Sequence, residues 1–228
     1  MKKLLLAIAV SVTALSWNQL AAGQAGANTA GQAAAVSLDD QMFQAVEKGD
    51  FATVLQLLEK GAHIDAQGKD GVTALIAASA MGKTDVVKQL LNKGASTDLK
   101  DSRGDTALNY AVMVNNIEEL KLLLEKGANV NIQEESGLSP LMLGVVSGSV
   151  ELVKLLLDNG AKTESRDTHG FTALMAASGG GLMDIVKLLL DRGANIDARS
   201  DDGATALKLA DGNGKTEVAA LLRARGAH

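Results

Sequence analysis

Leucines arrive in pairs along this chain. Leu57-Leu58, Leu90-Leu91, Leu123-Leu124, Leu156-Leu157 and Leu189-Leu190 follow one another at intervals of 33 residues. Each pair supplies the buried face of a predicted helix. Asp85, Glu118, Glu151, Asp184 and Glu217 place negative charge in the first turn of five such helices, where it complements the helix dipole. A Gly-Ala step closes each of them, with its glycine at Gly61, Gly94, Gly127, Gly160, Gly193 and Gly226.

A shorter helix is predicted upstream of each long one. Thr73, Thr106, Ser139, Thr172 and Thr205 can cap it through their side-chain oxygens. Ala74, Ala107, Pro140, Ala173 and Ala206 follow at the first helical position, where proline is tolerated. Leucine comes next, then a small residue (Ala78, Ala111, Gly144, Ala177 or Ala210) that lets neighbouring helices approach. The helix ends at Gly49, Gly82, Asn115, Gly148, Gly181 or Gly214. Asparagine is the residue best suited after glycine to a left-handed backbone, so Asn115 marks a turn. Beyond each long helix, β-branched Ile64, Thr97, Val130, Thr163 and Ile196 lead an extended finger toward the next opening glycine, at Gly71, Gly104, Gly137, Gly170 or Gly203.

A strict period of this size implies stacked units that bury their apolar faces only against their neighbours. The two ends differ as such a stack requires. From Leu38 the first unit carries polar Gln41, Gln44, Glu47 and Lys48, with Asp40 expected as its helix cap. In the last unit Arg223 replaces the leucine of the preceding five, which predicts a face turned to water.

Helix, tight turn, helix and projecting β-turn, repeated every 33 residues, resembles the ankyrin repeat family. The resemblance rests on the Gly-x-Thr-Ala-Leu openings, the Leu-Leu-x-x-Gly-Ala closings, and Asp65, Asp98, Asn131 and Asp197 after them. It covers residues 38–228 as six repeats, and implies an all-α solenoid of helix-turn-helix units joined by β-turn fingers. The family's Thr-Pro-Leu-His opening has lost its histidine throughout, to Ile76, Asn109, Met142, Met175 and Lys208, and its proline everywhere but Pro140. That loss predicts weaker ties between neighbouring fingers.

Composition agrees with a thin stack. Five aromatic residues (Trp17, Phe43, Phe51, Tyr110 and Phe171) leave the burying to leucine, alanine and valine. The start of the chain reads differently. Lys2 and Lys3 precede a mostly apolar run, Leu4 to Leu15, too short to span a bilayer comfortably but suited to a secretory signal. Residues 1–22 are therefore expected to be a signal peptide, with small-residue cleavage sites after Ser16 or Ala22. Residues 23–37 carry no charge and almost nothing large, and are expected to form a flexible linker. The absence of cysteine excludes both lipid attachment and disulfides. The signal predicts export to the bacterial periplasm, with release from the cell as the alternative. After cleavage no membrane association is expected.

The chemistry that remains is sparse. Gly82-Lys83-Thr84 and Gly214-Lys215-Thr216 resemble the end of a phosphate-binding loop, but Ala77 and Leu209 stand where that motif needs its first glycine. His63, His169 and His228 have no metal-binding spacing, and no nucleophile elbow is present. No cofactor, metal or catalytic residue is expected, and the net charge of −5 offers no footprint for nucleic acid. The family resemblance instead implies a concave face of fingers and first helices that grips a protein. Carried onto this chain, that face takes Val72, Met81, Arg103, Asp105, Met113, Val114, Leu138, Val146, His169 and Phe171. Met113, Val114, Leu138, Val146 and Phe171 are expected to form an apolar stripe across the middle repeats. The expectation is a monomeric, non-catalytic interaction scaffold. An exported effector or immunity-type protein is the alternative.

Overall fold

A computed structural model describes residues 36–228. The predicted signal peptide and nearly all of the linker lie outside them. Twelve α-helices follow in pairs: α1 (Leu38–Glu47) with α2 (Phe51–Glu59), α3 (Ala74–Ala80) with α4 (Thr84–Asn92), and α5 (Ala107–Met113) with α6 (Ile117–Glu125). Then come α7 (Pro140–Ser147) with α8 (Val150–Asp158), α9 (Ala173–Gly180) with α10 (Met183–Asp191), and α11 (Ala206–Gly212) with α12 (Thr216–Ala224). No β-strand occurs among the described residues. Odd helices pack on odd helices and even on even from one pair to the next, so the fold is an all-helical repeat solenoid.

The local signals behave as their chemistry requires. The hydroxyl of Thr73 accepts the N–H of Ile76 at 3.1 Å, and that of Thr205 accepts the N–H of Lys208 at 3.2 Å. Thr106, Ser139 and Thr172 cap their helices in the same way. Each such cap contributes about 1 kcal/mol. The turn between paired helices runs through a left-handed residue, and Asn115 takes that conformation with φ 54°.

One cap is not where the sequence pattern places it. Ser37, not Asp40, caps α1: its hydroxyl accepts the N–H of Asp40 at 3.0 Å. Asp40 lies three residues inside the helix and its carboxylate accepts in return from the Ser37 N–H at 3.3 Å, forming a reciprocal box.

Every helix of the stack is ten residues or shorter, too short to persist alone in water. Their stability comes from one apolar core running from Met42 to Ala227. The first leucine of each pair (Leu57, Leu90, Leu123, Leu156, Leu189) is buried there. Of their partners only Leu91 is; Leu58, Leu124, Leu157 and Leu190 are half-buried because one residue of helix rotation carries them toward the rim. Gly144 shows why small residues recur on the first helices. A Cβ there would lie 2.8 Å from Leu152 Cδ2 and 3.1 Å from Leu156 Cδ1.

The ends are wettable. Gln41, Gln44, Glu47 and Lys48 are exposed on α1. Arg223 is exposed on α12 and pairs with Asp211 at 2.6 Å. Among the described residues no helix is long and apolar enough to cross a membrane.

Candidate protein-binding face

The fingers are tight turns closed on themselves. Asp101 donates its N–H to the Asp105 carbonyl at 3.0 Å, and Gly104 donates back to Asp101 at 2.9 Å. The same closure recurs between Glu134 and Leu138, Asp167 and Phe171, and Ser200 and Ala204. The first side chain of each turn accepts from the turn's own backbone. Asp101 Oδ1 takes the N–H groups of Arg103 at 2.9 Å and Asp105 at 3.0 Å, and Asp167 Oδ1 takes those of His169 and Phe171, both at 2.9 Å. Glu134 and Ser200 do likewise. Gly68 stands in this register in the first finger and has no side chain to offer. That finger keeps the backbone closure, Gly68 N–H to Val72 O at 3.0 Å and Gly71 N–H to Gly68 O at 3.1 Å, around a single 3₁₀ turn, Lys69–Gly71, with Asp70 left-handed at φ 58°.

Neighbouring fingers are joined despite the missing histidines, and the predicted weakening gives way to two other sets of bonds. One is backbone: Ser102 N–H to Asp70 O at 2.7 Å, Glu135 to Arg103 at 2.9 Å, Thr168 to Ser136 at 2.9 Å, and Asp201 to His169 at 3.1 Å. The other uses long side chains 33 residues apart. Gln67 Nε2 donates to Lys100 O at 3.0 Å, Lys100 Nζ to Gln133 O at 3.2 Å, Gln133 Nε2 to Arg166 O at 2.8 Å, and Arg166 Nη1 to Arg199 O at 2.6 Å. A third series works at the finger bases. Asp65, Asp98, Asn131, Glu164 and Asp197 each accept the N–H that follows the next Gly-Ala, at 2.8 to 3.0 Å.

The residues expected on the face are not equally available. Val114 is exposed at 44% of its surface, and Arg103 and His169 are exposed. Val72, Met81, Met113, Val146 and Phe171 are half-buried. Leu138, at 8%, and Asp105, at 6%, are buried. Leu138 therefore belongs to the core, as a member of the continuous apolar cluster between repeats. Of the five residues expected to form an apolar stripe, only Val114 is exposed; Met113, Val146 and Phe171 are partly covered. Phe171 itself rests on a small cluster of Met175, Ala198 and Leu209.

Arg103 is the anchor of a polar cluster in the third repeat. Its Nη2 lies 3.7 Å from Asp101 Oδ2 and 3.6 Å from Asp105 Oδ2, and donates to the Tyr110 hydroxyl. Its guanidinium carbon sits 5.6 Å from the centre of the Tyr110 ring. Tyr110 donates in turn to Asp101 Oδ2 at 2.7 Å, and Asn109 Nδ2 donates to Asp105 Oδ1 at 3.2 Å. Burial and the neighbouring Asp101 push the Asp105 carboxyl up to about 6, against the pull of Arg103. Burial and the bond to Asp101 hold the Tyr110 phenol well above its usual range. Asp101, Asn109 and Tyr110 were not in the predicted set. The one available signal was that Asn109, alone among the five substitutes for histidine, is an amide.

No group of three or more His, Cys, Asp or Glu among the described residues is placed to hold a metal ion. The two Gly-Lys-Thr segments are the turn between paired helices and the first residue of the second: Lys83 and Lys215 stand at the N-cap of α4 and α12 without a side-chain capping bond.

A sequence model described as ankyrin repeats matches the chain in three copies, over residues 42–134, 98–167 and 141–228. The chain belongs to the ankyrin repeat family. No curated protein matches it. Ankyrin repeats indicate an interaction scaffold for a protein partner, and such modules are generally non-catalytic. In this ankyrin chain the finger ladder of Gln67, Lys100, Gln133 and Arg166 stands beside openings that lack histidine.

Proposed function

We propose that this ankyrin chain is a non-catalytic scaffold of the bacterial periplasm, binding a partner protein on the face of fingers and odd-numbered helices. Export rests on the Lys2-Lys3 start and the apolar run Leu4 to Leu15. The binding face rests on Val114. It is one of three exposed large hydrophobics among the described residues, and it lies beside Met113 in the middle of the stack. Exposed Arg103, held in place by Asp101, Asp105 and Tyr110, supplies a fixed charge one finger away. A small apolar centre with an ordered arginine beside it is the composition that concentrates binding energy in protein interfaces.

The test is site-specific photo-crosslinking in living cells from position 114, with position 121 on α6 as the control. Captured partner from 114 and none from 121 supports the proposed face. Equal capture from both positions rejects it. Recovery of the protein in culture supernatant rather than in an osmotic-shock fraction rejects the periplasmic assignment.

A further inference from the structure

Glu119 occupies a place in the stack that four of the other five repeats give to hydrocarbon, the first having Thr53. Its register is held by Val86, Leu152, Ile185 and Val218 in four other second helices. Its side chain is completely buried, at 0% exposure. One carboxylate oxygen, Oε2, accepts from Asn116 Nδ2 at 3.1 Å. The other, Oε1, has no hydrogen-bond partner. The same Asn116 amide reaches across to Thr84 Oγ1 of the preceding repeat at 2.8 Å, so the carboxyl is wired into the joint between α4 and α6.

Its surroundings supply no counter-charge. From α4 the polar group in this network is Thr84, and from the turn before α6 it is Asn116. From α3 it is Ser79, near enough to favour the ionised carboxyl yet outside hydrogen-bond geometry, so that its buried hydroxyl is also unpartnered. No charged group of α3, α4, α5 or α8 bears on it; burial is the larger influence and pushes the carboxyl up to about 7, with Ser79 opposing. Ser178 repeats the Ser79 position and is likewise unpartnered, but the residue 40 positions beyond it is Val218 where Ser79 has Glu119. Among the described residues, only the joint between the second and third repeats sets an unpartnered buried hydroxyl of this register beside a buried acid.

We propose that Glu119 makes the packing between the second and third repeats a proton-dependent joint, closed when its carboxyl is protonated and loosened when it ionises. Either state can pair with the Ser79 hydroxyl, the neutral acid by donating its O–H and the anion by accepting the serine's. What separates them is charge: the anion is held out of water with no counter-charge beside it, which favours opening of the α4–α6 contact. The sign follows from linkage. The folded-state value lies above the ordinary 4.5, so the closed joint is fully favoured below about 4.5 and loses that advantage as pH rises through about 7. The proposal does not depend on any partner.

Hydrogen exchange of the full mature chain at pH 5.5 and 8.0, corrected for intrinsic rates, reads the joint directly. Peptides from α4 and α6 are compared with those from α9 and α10 as internal reference. Protection at the joint is expected to fall by roughly tenfold more than at the reference between the two pH values. Glu119→Gln, a permanently neutral isostere, and Glu119→Val, the residue at 86 and 218, are each expected to abolish that excess. Asp105→Asn is expected to retain it, separating Glu119 from the other raised carboxyl of the same repeat. Equal pH response at joint and reference in the wild-type chain overturns the proposal. So does a response that survives in Glu119→Gln and Glu119→Val.

Discussion

Gln133 donates its side-chain amide to the carbonyl of Arg166, 33 residues further on, at 2.8 Å, and the same nitrogen donates to Gly137 within its own repeat. One side chain thus closes a finger and ties it to the next. Gln133→Ala removes both bonds and leaves two carbonyls to water. A net loss of about 1 kcal/mol is expected, since exposed acceptors recover solvent bonds. The shift in urea midpoint checks it. The loss should exceed that from Lys100→Ala, whose ammonium makes one exposed bond to Gln133.

Asp105 gives a pH-dependent expectation of its own. Its folded value of about 6 lies above its ordinary 3.8. A raised carboxyl favours the folded state fully below 3.8, and that contribution disappears as pH rises through 6. Above pH 6 the ionised, buried carboxylate costs roughly 3 kcal/mol relative to the protonated form. Asp105→Asn keeps an acceptor for Asn109 and removes the titration. Relative to wild type, it is expected to be more stable at pH 8 and close to equal at pH 4. Paired urea titrations at those two pH values test this; a difference independent of pH would assign the effect to the lost contact with Arg103 alone.

Two glycines should respond in opposite directions to alanine. Gly137 has φ +81°, and a Cβ there would stand 2.9 Å from Asp167 Cα and Thr168 N, backbone atoms of the next finger. Gly137→Ala is expected to destabilise by roughly 2 kcal/mol, from left-handed strain and collision together. Gly180 lies in the last turn of α9 with ordinary helical backbone, and its nearest neighbour would be Leu182 Cγ at 3.4 Å. Gly180→Ala is expected to stabilise by about 0.5–1 kcal/mol, mainly by restricting the unfolded chain. Thermal unfolding of both variants against wild type provides the comparison.

The fold was legible because its signals are local. A threonine before a short apolar run, and asparagine where other repeats turn on glycine, each have one physical solution within a few residues. The Asp40 assignment failed inside that range for an instructive reason. A capping box puts hydrogen-bonding side chains at both Ser37 and Asp40, and sequence alone does not say which end is outside the helix. The finger ladder was harder to see. Gln67, Lys100, Gln133 and Arg166 keep the 33-residue period but are of three residue types, alike only in a long side chain with an N–H to donate. Leu138 and Val114 carry the same lesson for the face. Both are aliphatic residues at positions expected to be open, yet Leu138 at the end of a finger is buried at 8% and Val114 at the end of α5 is exposed at 44%.

Arg223 tests what an arginine contributes where other repeats carry leucine. It occupies the register of Leu58, Leu91, Leu124, Leu157 and Leu190, is exposed, and pairs with Asp211 of the same repeat at 2.6 Å. That ion pair is solvent-exposed and contributes little, about 0–1 kcal/mol. Arg223→Leu is therefore expected to change the unfolding midpoint only slightly. Its effect should appear in association. An internal-type leucine at this exposed position adds uncovered apolar surface to a solenoid whose units stack by such faces. Sedimentation velocity over a concentration series should show concentration-dependent self-association in Arg223→Leu and not in wild type. A variant that behaves identically to wild type would mean that arginine at this position does not oppose self-association.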